Sequence, residues 1–231
     1  MEPFHDAASP LIDLTEASCP FRWDEVFPRP GPVELEIGSG KGRFLVGAAE
    51  RWPDRNFLGV EAAGRYLRRS VERVRKSGLP NIRLARTDAR DVLCRWLSPS
   101  SLQRIHVYFP DPWPKKRHVK RRIINGDFTR WAAAVLAPGG EILIGTDHEG
   151  YVEWVHEVMG GEGAGLFEAL PWEPDAESWI FTNYAIKWSA QGRRLFWLRY
   201  ALTPGPAGPP AGSFQGQGSL RGGPVVDSRV G

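Results

Sequence analysis

Apolar residues recur along this chain with two alternating periods, and the alternation predicts the fold. Short apolar runs at Val33–Ile37, Asn56–Val60, Ile82–Ala85, 105–109 and 141–145 read as buried strands. Between and after them, Arg43–Arg51 and residues 65–76, 89–97, 128–136 and 151–159 space their apolar positions three and four apart, as one face of a helix requires. The helix over 65–76 is expected to stop at Gly78 and Pro80. Strands separated by helices imply an α/β fold with a doubly wound, mostly parallel sheet. Runs at 166–170 and 195–201 supply two more strands, for seven in all. The connection between them, 171–194, is long and aromatic, a pattern associated with function.

The two ends break this rhythm. Residues 1–32 hold scattered apolar positions and several prolines without a period, which predicts an irregular arm lying on a domain that spans 33–202. From 203 to 231 the chain is rich in Gly and Pro and has little to bury, so it cannot offset the entropy cost of ordering its backbone; a disordered tail is expected. A length of 231 residues with 42% hydrophobic and 25% charged content suits one core, and no apolar run approaches a bilayer span. The N-terminus lacks a basic start followed by an apolar stretch. The two cysteines, Cys19 and Cys94, follow no metal-ligand spacing, so a reducing cytoplasm is expected. Nothing calls for a membrane or an obligatory protein partner.

Net charge is +3 and the isoelectric point near 9.0, so a polyanionic partner must be argued from clustering and not from the total. The cluster is in residues 107–122, VYFPDPWPKKRHVKRR. There an apolar segment leads through Asp111, held between two prolines, past Trp113, into a run of basic side chains. Asp111 can face a reacting group, Trp113 offers a stacking surface, and Lys115, Lys116, Arg117, Lys120, Arg121 and Arg122 can neutralise phosphates. A basic run is often only a solvated surface, and an Asp between prolines is often only a turn residue. This run, however, directly follows an apolar strand and precedes a helix.

The first strand leads into Glu36-Ile37-Gly38-Ser39-Gly40-Lys41-Gly42, where Gly38 and Gly40 permit close approach of a ligand to the backbone. Glu61 ends the second strand, placed to accept hydrogen bonds from ribose hydroxyls. Asp88 follows the third, placed to accept from the amine of an adenine. Helix capping and turn formation are the plain alternatives for both. A dinucleotide site would need a pyrophosphate here, which Glu36 would repel. A cationic ligand such as S-adenosylmethionine, with its sulfonium and ammonium, suits the turn better. His118 and His148 show no paired ligand spacing, and no metal is expected.

At this point the motifs LEIGSGKGRFL, NFLGVEAAGRYL, YFPDPWPKKRHVKRR and GTDHEGY together resemble the bacterial tRNA (guanine-N7)-methyltransferase family, in order and over roughly 33–199. The resemblance implies a class I, Rossmann-like methyltransferase that uses S-adenosylmethionine on a guanine of the tRNA variable loop. By position it implies that Glu36, Glu61, Asp88 and Asp111 surround the donor, with Asp111 also catalytic. It assigns substrate contacts to Lys115, Asp147 and Thr182, and RNA contacts to Arg117, His118, Lys120, Arg121 and Arg122. The segment Thr182-Asn183-Tyr184-Ala185 departs from the family motif, which ends in Glu. The aromatics Trp113, Trp179, Phe181, Tyr184 and Trp188 can receive a displaced base or simply pack. Two other readings stay open at this stage: methylation of an exocyclic amine, and an RNA-binding homologue that turns over weakly.

Overall fold

The computed structural model describes residues 9–174 and 182–204. The expected tail beyond 204 and the aromatics Trp179 and Phe181 lie outside these residues. In chain order the elements are α1 (Trp23–Val26), β1 (Val33–Ile37), α2 (Arg43–Arg51), β2 (Asn56–Val60), α3 (Gly64–Ser77), β3 (Ile82–Ala85) and α4 (Ala89–Asp91). They continue with β4 (Leu102–Tyr108), α5 (Gly126–Val135), β5 (Leu136–Thr146), α6 (Glu149–Gly160), β6 (Phe167–Leu170), α7 (Asn183–Ala190) and β7 (Phe196–Leu202).

The seven strands form one sheet in the order β3-β2-β1-β4-β5-β7-β6. β1 to β5 run parallel, and β7 is antiparallel to both β5 and β6. Successive strands are added outward from β1 to β3 on one side and from β4 on the other, and this reversal of strand order between β1 and β4 creates the switch point where open α/β sheets bind ligands. Right-handed crossovers then place α2 and α3 on one face and α5 with its neighbours on the other. The two hydrophobic cores follow that division. Phe44, Leu45, Leu67 and Val74 pack with one face; Val92, Phe128, Ala132 and Val155 pack with the other.

Several elements differ from the sequence expectation for local reasons. The helix expected over 89–97 is a single α turn that widens into a π-helix over Val92–Trp96, burying Val92, Leu93 and Trp96. β4 stops at Tyr108 because Phe109 takes the left-handed conformation, φ 52°. The connection 171–194 contains α7, opened by the Thr182 hydroxyl accepting from Ala185 N at 3.1 Å. The arm extends the sheet edge: Ile12 N donates to Leu84 O at 2.8 Å, and Ile12, Phe21, Val26 and Phe27 are buried in the core. Among the described residues no helix is long and apolar enough to cross a membrane.

Candidate active site

At the switch point lies a cleft of about 410 Å³, walled by Gly38, Glu61, Asp88, Pro110, Asp111, Trp113 and Arg121, among others. Four successive parallel strands, β1 to β4, contribute to it at their carboxyl ends. Gly38 and Gly40 have φ of 73° and 56°, a region that side chains rarely adopt. A Cβ at Gly38 would meet no protein atom within 4 Å, and one at Gly40 only the Gly38 carbonyl at 3.8 Å. The space above this turn is therefore open to a ligand. Gly42 serves a different need, since a Cβ there would strike the Ser70 hydroxyl.

Glu61 is fixed by two backbone amides: its Oε2 accepts from Gly40 N at 2.9 Å and its Oε1 from Ala63 N at 2.8 Å. Both oxygens retain lone pairs. Asp88 caps α4, its Oδ1 accepting from Arg90 N at 2.8 Å, so the capping role weighed from sequence is present alongside its place in the cleft wall. Glu36 lies just behind the cleft wall, next in sequence to Ile37 and Gly38, which line it. It is 3% exposed on β1, and its Oε2 finds no hydrogen-bond partner. Burial, and then the nearby charge of Glu61, push its carboxyl well above the usual carboxylate range.

Behind Glu36, a hydrogen-bonded chain crosses the sheet. His106 Nε2 sits 2.8 Å from Glu34 Oε2, and His106 Nδ1 sits 2.9 Å from the Tyr108 hydroxyl. Arg55 meets Glu34 Oε1 at 2.7 Å, and Arg104 bridges Glu34 to Glu141. Burial, followed by the charges of Glu36 and Glu34, raises the Tyr108 hydroxyl well above its ordinary value. Sequence reasoning missed this chain because its members are far apart in sequence, Glu34 and His106 alone by 72 residues. Alternation along two paired strands was the available signal.

The loop after β4 carries Asp111 at the cleft, exposed and without a hydrogen bond or ion pair to another described residue. Its backbone is strained on both sides, with Phe109 at φ 52° and Trp113 at φ 41°. Two anchors hold it: Phe109 N donates to Gly145 O at 2.7 Å, and Arg122 Nε donates to Pro112 O at 2.9 Å. Arg122 is turned inward, unlike the exposed cations of the same run. It is 8% exposed, its Nη2 also reaches Trp113 O at 3.4 Å, and its guanidinium lies over the Tyr151 and Trp154 rings. A side chain so placed braces the loop.

The rest of the basic run forms a 3-10 turn, Lys116–Arg121. Lys115, Arg117, Lys120 and Arg121 are exposed there, and His118 is half-buried. Trp113 is partly covered, with Arg121 4.9 Å from its ring centre and His118 edge-on at 5.5 Å. Asp147 is paired with Arg193 at 2.8 Å. Thr182 uses its hydroxyl as the α7 cap, and Ala185, three residues on, is 1% exposed. Tyr184 stacks near Phe109 at 6.3 Å, which brings the start of α7 to the mouth of the cleft. Among the described residues no three His, Cys, Asp or Glu side chains converge as a metal site.

Residues 30–198 match a family model described as a putative methyltransferase. The chain is 39% identical over 179 residues to a tRNA (guanine-N(7)-)-methyltransferase of Thermus thermophilus, covering 76% of this chain and 57% of that protein. It is 32% identical over 206 residues to the protein of the same name from Geobacter metallireducens, covering 88% and 98%. A third, from Leifsonia xyli, is 36% identical over 201 residues, covering 86% and 85%. Among solved structures, the 16S rRNA methyltransferase KamB superposes with a TM-score of 0.57 at 21% identity, over 79% of this chain and 93% of that one. TrmN from Thermus thermophilus gives 0.52 at 21% identity, over 76% and 45%. These structures share the fold.

Proposed function

We propose, from the premise that this chain belongs to the tRNA (guanine-N(7)-)-methyltransferase family, that it transfers a methyl group from S-adenosylmethionine to N7 of a guanine in tRNA. The observation that carries the reading is the single cleft that sets the open glycine turn and Glu61 against Asp111 and the basic 3-10 turn.

The residues fit the methyl donor. Glu36 offers a buried, unpartnered oxygen next to the turn, suited to a cationic group. Gly38 and Gly40 leave room against the backbone. Glu61, held in place by two amides, keeps lone pairs for ribose hydroxyls, and Asp88 keeps Oδ2 for an adenine amine. Bound there, the donor supplies an electrophilic methyl carbon on a sulfonium.

Guanine N7 is an acceptor with its own lone pair, so it needs no base to become a nucleophile. The protein's work is alignment and electrostatics. Asp111, fixed by Arg122 through the loop backbone, accepts from the base and faces the positive charge that develops on the purine. The major groove of A-form RNA is too narrow for side chains, so the target guanine comes from a loop or leaves its stack. The variable loop meets that condition. Lys115, Arg117, Lys120 and Arg121 hold phosphates beside it, with His118 and Thr182 lining the approach and Asp147 held by Arg193. On this reading the chain works on tRNA in the cytoplasm.

Transcripts in which guanine is replaced by 7-deazaguanine test the target atom. Methyl acceptance should vanish when the carbon analogue stands at the variable-loop position and persist when it stands elsewhere. Acceptance retained throughout would rule out N7.

A further inference from the structure

Helix α3 holds six basic residues and one acidic residue, a net +5 in a chain whose total is +3. Arg65, Arg68 and Arg69 stand at i, i+3 and i+4 and share one helix face. All three are exposed, and none forms an ion pair with a carboxylate of the described residues. Two turns further on, Lys76 shows the contrast: it is paired with Glu72 at 2.7 Å. With Lys41, Tyr66 and Glu72, the three arginines line a second cleft of about 410 Å³. Lys41 belongs to the glycine turn, and its carbonyl accepts from Arg73 Nε at 2.9 Å, so the second cleft is built between that turn and α3. Like charges four residues apart, as in Arg65/Arg69 and Arg69/Arg73, destabilise a helix. That repulsion is a cost to folding which a polyanion would relieve.

The position of this face matters as much as its charge. α3 packs with α2 on one side of the sheet, and the 3-10 turn leads into α5 on the other. Tyr66 lies against Tyr184, whose ring stacks near Phe109 at the start of the Asp111 loop. The second cleft therefore opens on the flank of the active-site mouth opposite the 115–121 cluster.

We infer that the face formed by Lys41, Arg65, Arg68 and Arg69 is a second tRNA-backbone site, gripping phosphates on the far side of the target guanine from the 115–121 cluster. The site rests on the tRNA reading above. It recognises phosphate without reading bases, so it sets affinity and orientation uniformly across tRNA sequences.

The test uses the full chain with Arg68→Ala/Arg69→Ala, beside the charge-keeping Arg68→Lys/Arg69→Lys. The melting temperature should hold or rise slightly as like-charge repulsion is removed, and S-adenosylmethionine titration should match the wild type. The salt dependence of tRNA binding should flatten by about 0.7 to 0.9 in log–log slope for each phosphate that is no longer neutralised. KM for tRNA should rise, with kcat at saturating tRNA retained, and the lysine variant should keep most of the slope. A folded alanine variant with wild-type slope and KM would overturn the inference and leave the activity standing. A wild type that binds no tRNA would overturn both.

Discussion

Glu34 and Glu36 stand two residues apart on the same face of one buried strand, and their carboxyls are driven in opposite directions. Burial raises both, but at Glu34 it is outweighed by the hydrogen bond and charge of His106 and by Arg104 and Arg55, which hold the carboxyl down to about 2. Glu36 has no such partner, and burial followed by the Glu61 charge keeps it protonated well above the ordinary 4.5. One is a permanent structural anion; the other is a latent one.

A cationic donor should therefore draw a proton off Glu36. Because the free protein holds that proton above pH 4.5 and the complex releases it, affinity for S-adenosylmethionine should rise with pH until the raised value is passed. Stability of the free protein should run the other way. The unfolded chain loses the Glu36 proton first, so this contribution to stability falls as pH climbs from 4.5 toward the folded value. Calorimetry in buffers of different ionisation enthalpy reads the released proton, and Glu36→Gln should abolish the release. Binding without proton release would show that Glu36 does not face the donor.

Arg122 should behave unlike its neighbours. Arg122→Ala removes the charge-assisted hydrogen bond to the Pro112 carbonyl, worth roughly 1.5 to 3 kcal/mol in such settings, with the longer contact to the Trp113 carbonyl, and frees the Asp111 loop. The expected result is a lower melting temperature and a lower single-turnover rate with donor affinity retained. Arg122→Lys should recover little, since an ammonium cannot reproduce the fork. Lys120→Ala should instead weaken tRNA binding and spare the rate at saturation. Equal effects of the two alanine changes on tRNA affinity alone would return Arg122 to the phosphate-binding set.

Asp111→Asn keeps shape and removes charge. Single-turnover methyl transfer should fall on the order of 100-fold, with tRNA affinity nearly unchanged. An unaltered rate would reduce Asp111 to a turn residue between prolines.

Ala185 occupies the third helical position of α7, and Thr182 is the cap. A Glu at that position can reach back to the backbone N–H of Thr182 as a capping box. Ala185→Glu is expected to fold and to preserve or raise kcat/KM. A folded variant that binds donor and tRNA but loses activity would show that the site has been rebuilt around the small side chain.

The strands were legible because parallel strands buried on both faces leave continuous apolar runs, and the place of Glu61, Asp88 and Asp111 at the sheet's carboxyl edge was legible because each follows such a run. The direction of Arg122 was not. In KRHVKRR every cation looks alike, and only the packing of Tyr151 and Trp154 turns one of them inward. The Thr182 cap was hidden for a similar reason, since the apolar spacing of 183–190 is too short to announce a helix. The basic face of α3 lay in plain view as RRSVERVRK, but an amphipathic helix with a charged outer face needs no function to explain it.

The central claim is methyl transfer to guanine N7 in tRNA. Purified protein incubated with labelled S-adenosylmethionine and unmodified tRNA, followed by digestion and nucleoside identification, tests it most directly. Label should appear in 7-methylguanosine, recognisable by its fixed positive charge. Label in a base methylated on an exocyclic amine, or no label in a folded protein that binds both ligands, would contradict it.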